Sequence, residues 1–189
     1  MSDTTPEVSE ESELPMPNPF FLFDSSGSHG ARKVSLYGSI DEEKCADAVS
    51  DLLSLVTGDA PDPDEPPPDP VELILSTWGG SAADMFAVYD VLRLVRRGGV
   101  LQTYGIGKVM SAGVLLLAAG TKGHRRVGKH CRIMLHSVMA AHHGELYNLQ
   151  NEIEETQYSQ NQYIRALASE TRMSQKKIRA MLNKKINIY

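Results

Sequence analysis

The stretch VELILST, residues 71–77, does most to constrain the fold. It is a nearly unbroken apolar run that meets Gly79–Gly80. At this length it reads as a strand, and its continuous character suits a parallel sheet buried on both faces. Parallel neighbours need a crossover between them, usually a helix, and the flanking sequence supplies that alternation. KVSLYG reads as a strand ending at Gly38, and Asp41 is placed to cap a helix running to about Val56. The packing face of that helix is expected at Ala46, Val49, Leu52, Leu53 and Val56. Residues 81–97 read as a second helix, packing through Phe86, Val88, Tyr89, Leu92 and Val95, before a strand over about 100–105. SAGVLLLAAG, residues 111–120, is a short, almost wholly apolar helix and is therefore expected to be buried. HRRV and CRIMLH, the latter ending at His136, read as further strands. A long polar helix follows over 145–170, then a last helix from a cap at Ser174 to about Asn183. Strands alternating with helices give an α/β fold with a mainly parallel sheet.

Two segments stand outside this pattern. Residues 1–31 are acidic and dotted with proline, and are expected to be a disordered tail, apart from the apolar cluster Phe20–Phe23. That cluster reads either as an anchor on its own domain or as a contact to a neighbouring subunit. GDAPDPDEPPPDP, residues 58–70, holds six prolines and five acids and reads as an extended loop. The domain is therefore expected over 32–189. Charge follows the same division: residues 1–70 carry sixteen Asp/Glu against three Lys/Arg, residues 71–189 eight against sixteen. No run approaches the roughly 18 apolar residues of a membrane span. The acidic N-terminus is unlike a secretory signal. Cys45 and Cys131 are too few for a disulfide scaffold or a structural zinc site. A cytoplasmic location is expected. The cations of the second half (Arg93, Arg96, Arg97, Lys176, Lys177, Lys184, Lys185) lack interleaved aromatics, so they read as a solvated or subunit-pairing face rather than a nucleic-acid surface.

Three local features carry chemistry. Ser111 stands between Gly105-x-Gly107 and the apolar helix. A serine there is most often just a cap. The glycine-containing loop and the helix behind it also suit a nucleophile approached closely by substrate. His136 ends an apolar strand, where open α/β sheets place their crevices, although most such histidines are structural. Gly79–Gly80 reads as a tight turn whose N–H groups could meet an oxyanion. Together they supply a nucleophile, a base and an oxyanion donor, the set that acyl transfer requires.

TWGGSAADMFAVYDVL, GIGKVMSAGVLLLAAGTKGHRRV and RIMLHSVMAAHHGE, followed by the long helix, resemble the proteolytic subunit of the Clp protease over residues 32–189. The resemblance implies a crotonase-like αβ superhelix with a protruding handle helix at 145–170. It implies Ser111 as nucleophile, His136 as general base, and the N–H groups of Gly80 and Ala112 as oxyanion donors. It implies serine endopeptidase activity on unfolded polypeptides, inside a chamber of two stacked seven-membered rings fed by an ATPase unfoldase. No metal or nucleotide cofactor takes part in the hydrolysis itself, and neither nucleic acid nor membrane is an expected partner.

Several positions depart from the family pattern. The third triad member, an aspartate in the family, falls on Asn187 within KKINIY. Asparagine can orient an imidazole but brings no charge, and in a serine triad such an exchange can cost about 10⁴ in rate. Val109–Met110 replace small residues, and Ala112 stands where bacterial members carry Met, as in related phage-head proteases. The loop 58–70 is an insertion. The family's axial loops and docking tail are not recognisable in residues 1–31, and the family pattern continues past residue 189 with a helix and a closing strand. Two alternatives follow: a weak or silent ring subunit that modulates an active partner, and a capsid-processing protease of the same fold. An acyl-CoA enzyme of the crotonase class would not need this serine and histidine.

Overall fold

The computed structural model describes residues 32–55 and 68–183. The tail, the Phe20–Phe23 cluster, most of the proline-rich loop, Val56, Lys184, Lys185 and Asn187 lie outside the described residues. Every element falls in the unit Arg32–Tyr189.

Strand β1 (Lys33–Ile40) leads into helix α1 (Glu42–Ser54), which Asp41 caps by accepting from the Lys44 N–H at 3.1 Å. Strand β2 (Val71–Gly80) is followed by α2 (Ala82–Gly98), capped by Ser81, and then by β3 (Leu101–Met110) and the seven-residue α3 (Ala112–Ala118). Two short strands, β4 (Arg125–Val127) and β5 (Arg132–Met134), precede the 25-residue α4 (Leu146–Glu170) and α5 (Gln175–Leu182), whose cap is Ser174. The strand order is β1-β2-β3-β4 with β5 also on β3, and every pairing is parallel. The mixed α/β architecture with a parallel sheet is as expected from sequence.

Three boundaries differ from that expectation. β2 continues through Gly79–Gly80, because after a bulge these glycines still pair with Ser39 and Ile40 of β1. β3 does not stop near Gly105. Its first half pairs with β4 at 103–105 and its second with β5 at 108–110, so the glycine-containing stretch stays extended. β5 ends at Met134, which leaves His136 just past the strand.

The core fills the space between the sheet and α1, α2 and α3. Leu36, Leu73, Leu75, Leu101 and Val109 of the sheet meet Leu52, Met85, Leu92, Leu115 and Leu116, all essentially inaccessible. Side chains alternate across a strand, and on the opposite face Ile74 is only half-buried and Tyr37 is half exposed. The sheet is thus covered on one face among the described residues, not on both. The α1 face is also rotated from expectation. Cys45, Ala48 and Leu52 are buried, whereas Ala46 and Leu53 are exposed, because α1 leans on α2 as well as on β1.

Helix α4 is about 37 Å long at 1.5 Å per residue. Its buried side chains (Tyr163, Ile164, Leu167, Glu170) all lie in the second half, while Leu146, Tyr147 and Ile153 of the first half are exposed. Burial is thus confined to the second half of the helix, while the first half stays largely exposed. Glu170 anchors the packed end. It is buried, accepts from Arg96 at 2.7 and 3.0 Å and from Tyr89 at 2.9 Å, and pairs with Arg125 at 3.4 Å. Arg96 also donates to the Ala119 carbonyl, and Arg125 to Gly120, so the cluster ties α2, the end of α3 and α4 together. Arg96 is therefore not part of a solvated face, and Arg93 lies over the Tyr89 ring.

Candidate active site

The ends of β2, β3 and β5 converge on Ser111. Ser111 is the one non-glycine residue with positive φ among the described residues (φ 53°, ψ −121°). This conformation suits glycine, and holding it costs on the order of 1–3 kcal/mol, so it persists only where surroundings enforce it. Three bonds do so. The Ser111 N–H donates to the Met134 carbonyl at 2.8 Å, and the Ser111 carbonyl accepts from the Val114 N–H and the Tyr163 hydroxyl, both at 3.0 Å. Although Ser111 precedes α3, its side chain makes no cap hydrogen bond. The common role of a serine at this position is not the one it fills.

Gly79 lies directly against this turn. A Cβ on Gly79 would stand 2.6 Å from the Ser111 Cβ and 2.8 Å from the Met110 carbonyl oxygen, and its φ of 88° itself favours glycine. The Thr77 hydroxyl fixes the approach by donating to the Gly38 carbonyl at 2.6 Å and accepting from the Gly79 N–H at 2.9 Å. The Ser81 N–H donates to the Ile40 carbonyl at 2.9 Å.

His136 reaches the same place because Met134, two residues earlier, is bonded to Ser111. The chain beyond it is held to α4 by the Val138 N–H donating to Gln160 Oε1 at 3.2 Å. Gly80, Ser111, Ala112 and His136 thus line one cavity of about 380 Å³, with Trp78, Met85, Val138, Met139 and Tyr163 supplying most of its apolar wall. Of the residues singled out from sequence, these four are brought together, and Asn187 lies outside the described residues. A larger groove of about 740 Å³ between α2 and α4 contains neither the serine nor the histidine. Burial raises the pKa of both cysteines, Cys45 to about 11, so neither is a ready thiolate. No cluster of metal-ligating side chains occurs among the described residues. None of the described helices is long and apolar enough to cross a membrane.

Sequence reasoning missed Trp78 and Tyr163. Trp78 is the chain's single tryptophan and sits beside the glycine pair, which was a usable signal. It is 61% exposed, and Lys108 lies 4.6 Å above its ring. Tyr163 is one of several tyrosines and carried no signal of its own, because its partner is 52 residues away.

Comparison with known proteins places the chain among relatives. The family model described as Clp protease matches residues 26–188. Subunit 4 of the ATP-dependent Clp protease of Rhodococcus jostii is 39% identical over 79 residues, 42% of this chain and 40% of the relative. The chloroplastic proteolytic subunit 4 of Arabidopsis thaliana is 30% identical over 142 residues, 75% of this chain and 46% of the relative. Proteolytic subunit 2 of Corynebacterium jeikeium is 26% identical over 181 residues, 89% of this chain and 84% of the relative. The matched stretch spans less than half of each of the first two relatives. With the matched family model covering the sheet, the cavity and α4 alike, the chain belongs to the Clp protease family.

Proposed function

We propose that the protein is a serine endopeptidase acting on unfolded polypeptides. One observation carries the reading: Ser111 is held in a strained, non-capping conformation on the wall of a cavity that His136 shares. His136 takes the Ser111 proton, and Oγ attacks the substrate carbonyl carbon. Negative charge on the carbonyl oxygen is met by the N–H groups of Gly80 and Ala112. Collapse expels the amine, which receives the proton from His136, and water then attacks the acyl-enzyme with His136 again as base. Between the two glycines the choice falls on Gly80, since the Thr77 hydroxyl occupies the N–H of Gly79.

Assembly belongs to the same proposal. The exposed apolar side chains Leu146, Tyr147 and Ile153 on the first half of α4 suit a subunit contact. We assign the chain to closed, seven-membered rings, two of them stacked, fed by an ATPase unfoldase. The names of the relatives, ATP-dependent and proteolytic subunit, support a multi-subunit protease with an ATPase partner, and the ring size and stacking follow the family resemblance.

Hydrolysis of a fluorogenic peptide by the assembled protein tests the reading. Ser111→Ala and His136→Ala should each lower kcat by about 10³-fold or more. Turnover that survives Ser111→Ala contradicts the reading. So does an inert wild type that stimulates an active paralogue, which is the behaviour of a silent subunit.

A further inference from the structure

The peptide unit between Ser111 and Ala112 carries two groups that matter separately, the Ser111 carbonyl and the Ala112 N–H. A trans peptide is planar, so fixing its C=O also fixes the direction of its N–H. Tyr163 reaches that carbonyl from α4, donating its hydroxyl at 3.0 Å. The Tyr163 ring is buried and lines the cavity beside Ser111 and Ala112. The unit it holds follows the strained φ of Ser111 and relaxes when a tether is lost. A carbonyl that accepts a hydrogen bond also polarises its peptide and strengthens the N–H as a donor. Burial raises the Tyr163 phenol well above its ordinary pKa, so it stays protonated and remains a donor at working pH.

We infer that Tyr163 is a positioning residue for the oxyanion site: by holding the Ser111 carbonyl, its hydroxyl aims the Ala112 N–H at the charge that develops on the substrate. The inference rests on the serine-peptidase reading above. Removing an oxyanion donor outright costs about 10²–10³ in kcat. Loosening one, with the Val114 bond retained, costs less.

Tyr163→Phe keeps the ring and deletes one oxygen atom. The expected result is a kcat about tenfold lower with KM within about twofold. A peptide boronate, whose tetrahedral adduct places an oxygen in the oxyanion position, should bind about tenfold more weakly, while a product peptide binds as before. Rates are normalised to sites titrated with a fluorophosphonate, so a partly unfolded preparation does not imitate the effect. Tyr89→Phe is the control. It also removes a buried hydroxyl, one bonded to Glu170 at 2.9 Å and outside the cavity, and should leave kcat unchanged. Unaltered kcat and boronate affinity in Tyr163→Phe overturn the inference, as do equal kcat losses in both variants. A wild type that forms no adduct at all instead overturns the peptidase reading, so the two failures are distinguishable.

Discussion

Replacing Gly79 by alanine tests whether the end of β2 really sets the position of Ser111. Two costs arise. The first is backbone strain at φ 88°, roughly 1–2 kcal/mol for a residue with a Cβ. The second is steric. The new Cβ would sit 2.6 Å from the Ser111 Cβ, about 1 Å inside a comfortable carbon–carbon contact of roughly 3.5–4.0 Å. Its other near neighbours, the Met110 carbonyl oxygen at 2.8 Å and the Ala112 nitrogen at 3.1 Å, are backbone atoms that cannot rotate away. The turn must therefore move, adding about 1–3 kcal/mol of overpacking. The total destabilisation is about 2–5 kcal/mol, and a displacement near 1 Å at the reacting group can cost about 10²-fold in rate. Gly38→Ala isolates the first cost, since Gly38 has φ 80° and nothing within 4 Å of its Cβ position. Denaturant titration and fluorophosphonate labelling rate should be measured on both. Gly38→Ala should lose about 1–2 kcal/mol and label normally. Gly79→Ala should lose more and label about 10²-fold more slowly. Normal labelling of Gly79→Ala, or equal slowing in both variants, shows that the end of β2 does not set the position of Ser111.

Further outcomes follow from the same contacts. Glu170→Gln leaves two guanidinium groups without their carboxylate. Because each is about a quarter exposed, the loss should be near the low end for a broken buried pair, about 2–3 kcal/mol by denaturant titration. Burial pushes the Glu170 carboxyl up, but hydrogen bonds from Arg96 and Tyr89 and the charges of both arginines outweigh it and hold the pKa below its ordinary 4.5. Its stabilisation is complete above that ordinary value and is lost as pH falls through the lower folded value, so the acid loss should be smaller in Glu170→Gln. Leu146→Asp with Ile153→Asp, both on the exposed half of α4, should leave the circular dichroism unchanged and shift the sedimentation coefficient to smaller species. Leu52→Ala, wholly buried between α1 and the sheet, should cost about 2–5 kcal/mol.

The parts legible in the sequence were those written in local periodicity and in the spacing of a few polar residues. The apolar run of β2, the caps Asp41 and Ser174 and the length of α4 all signal themselves within a few residues. So does the order of glycine pair, serine and histidine. The features that went unread depend on distant neighbours. Gly105 and Gly107 look like loop residues, yet β3 stays extended there because β4 and β5 take successive halves of it. The buried face of α1 centres on Cys45 and Ala48 because α2 presses on it. Arg96 reads as one more surface cation until Glu170, 74 residues later, is seen beneath it. Tyr163 is the clearest case, since nothing in a helix of mixed polarity shows which tyrosine will meet a strained carbonyl.

Covalent labelling followed by peptide mapping decides whether Ser111 is the nucleophile. The assembled protein should take up one fluorophosphonate per chain, and the mapped adduct should lie on Ser111. Labelling should disappear in Ser111→Ala and slow sharply in His136→Ala. An adduct on any other residue, or none on properly assembled protein, means that Ser111 is not the nucleophile.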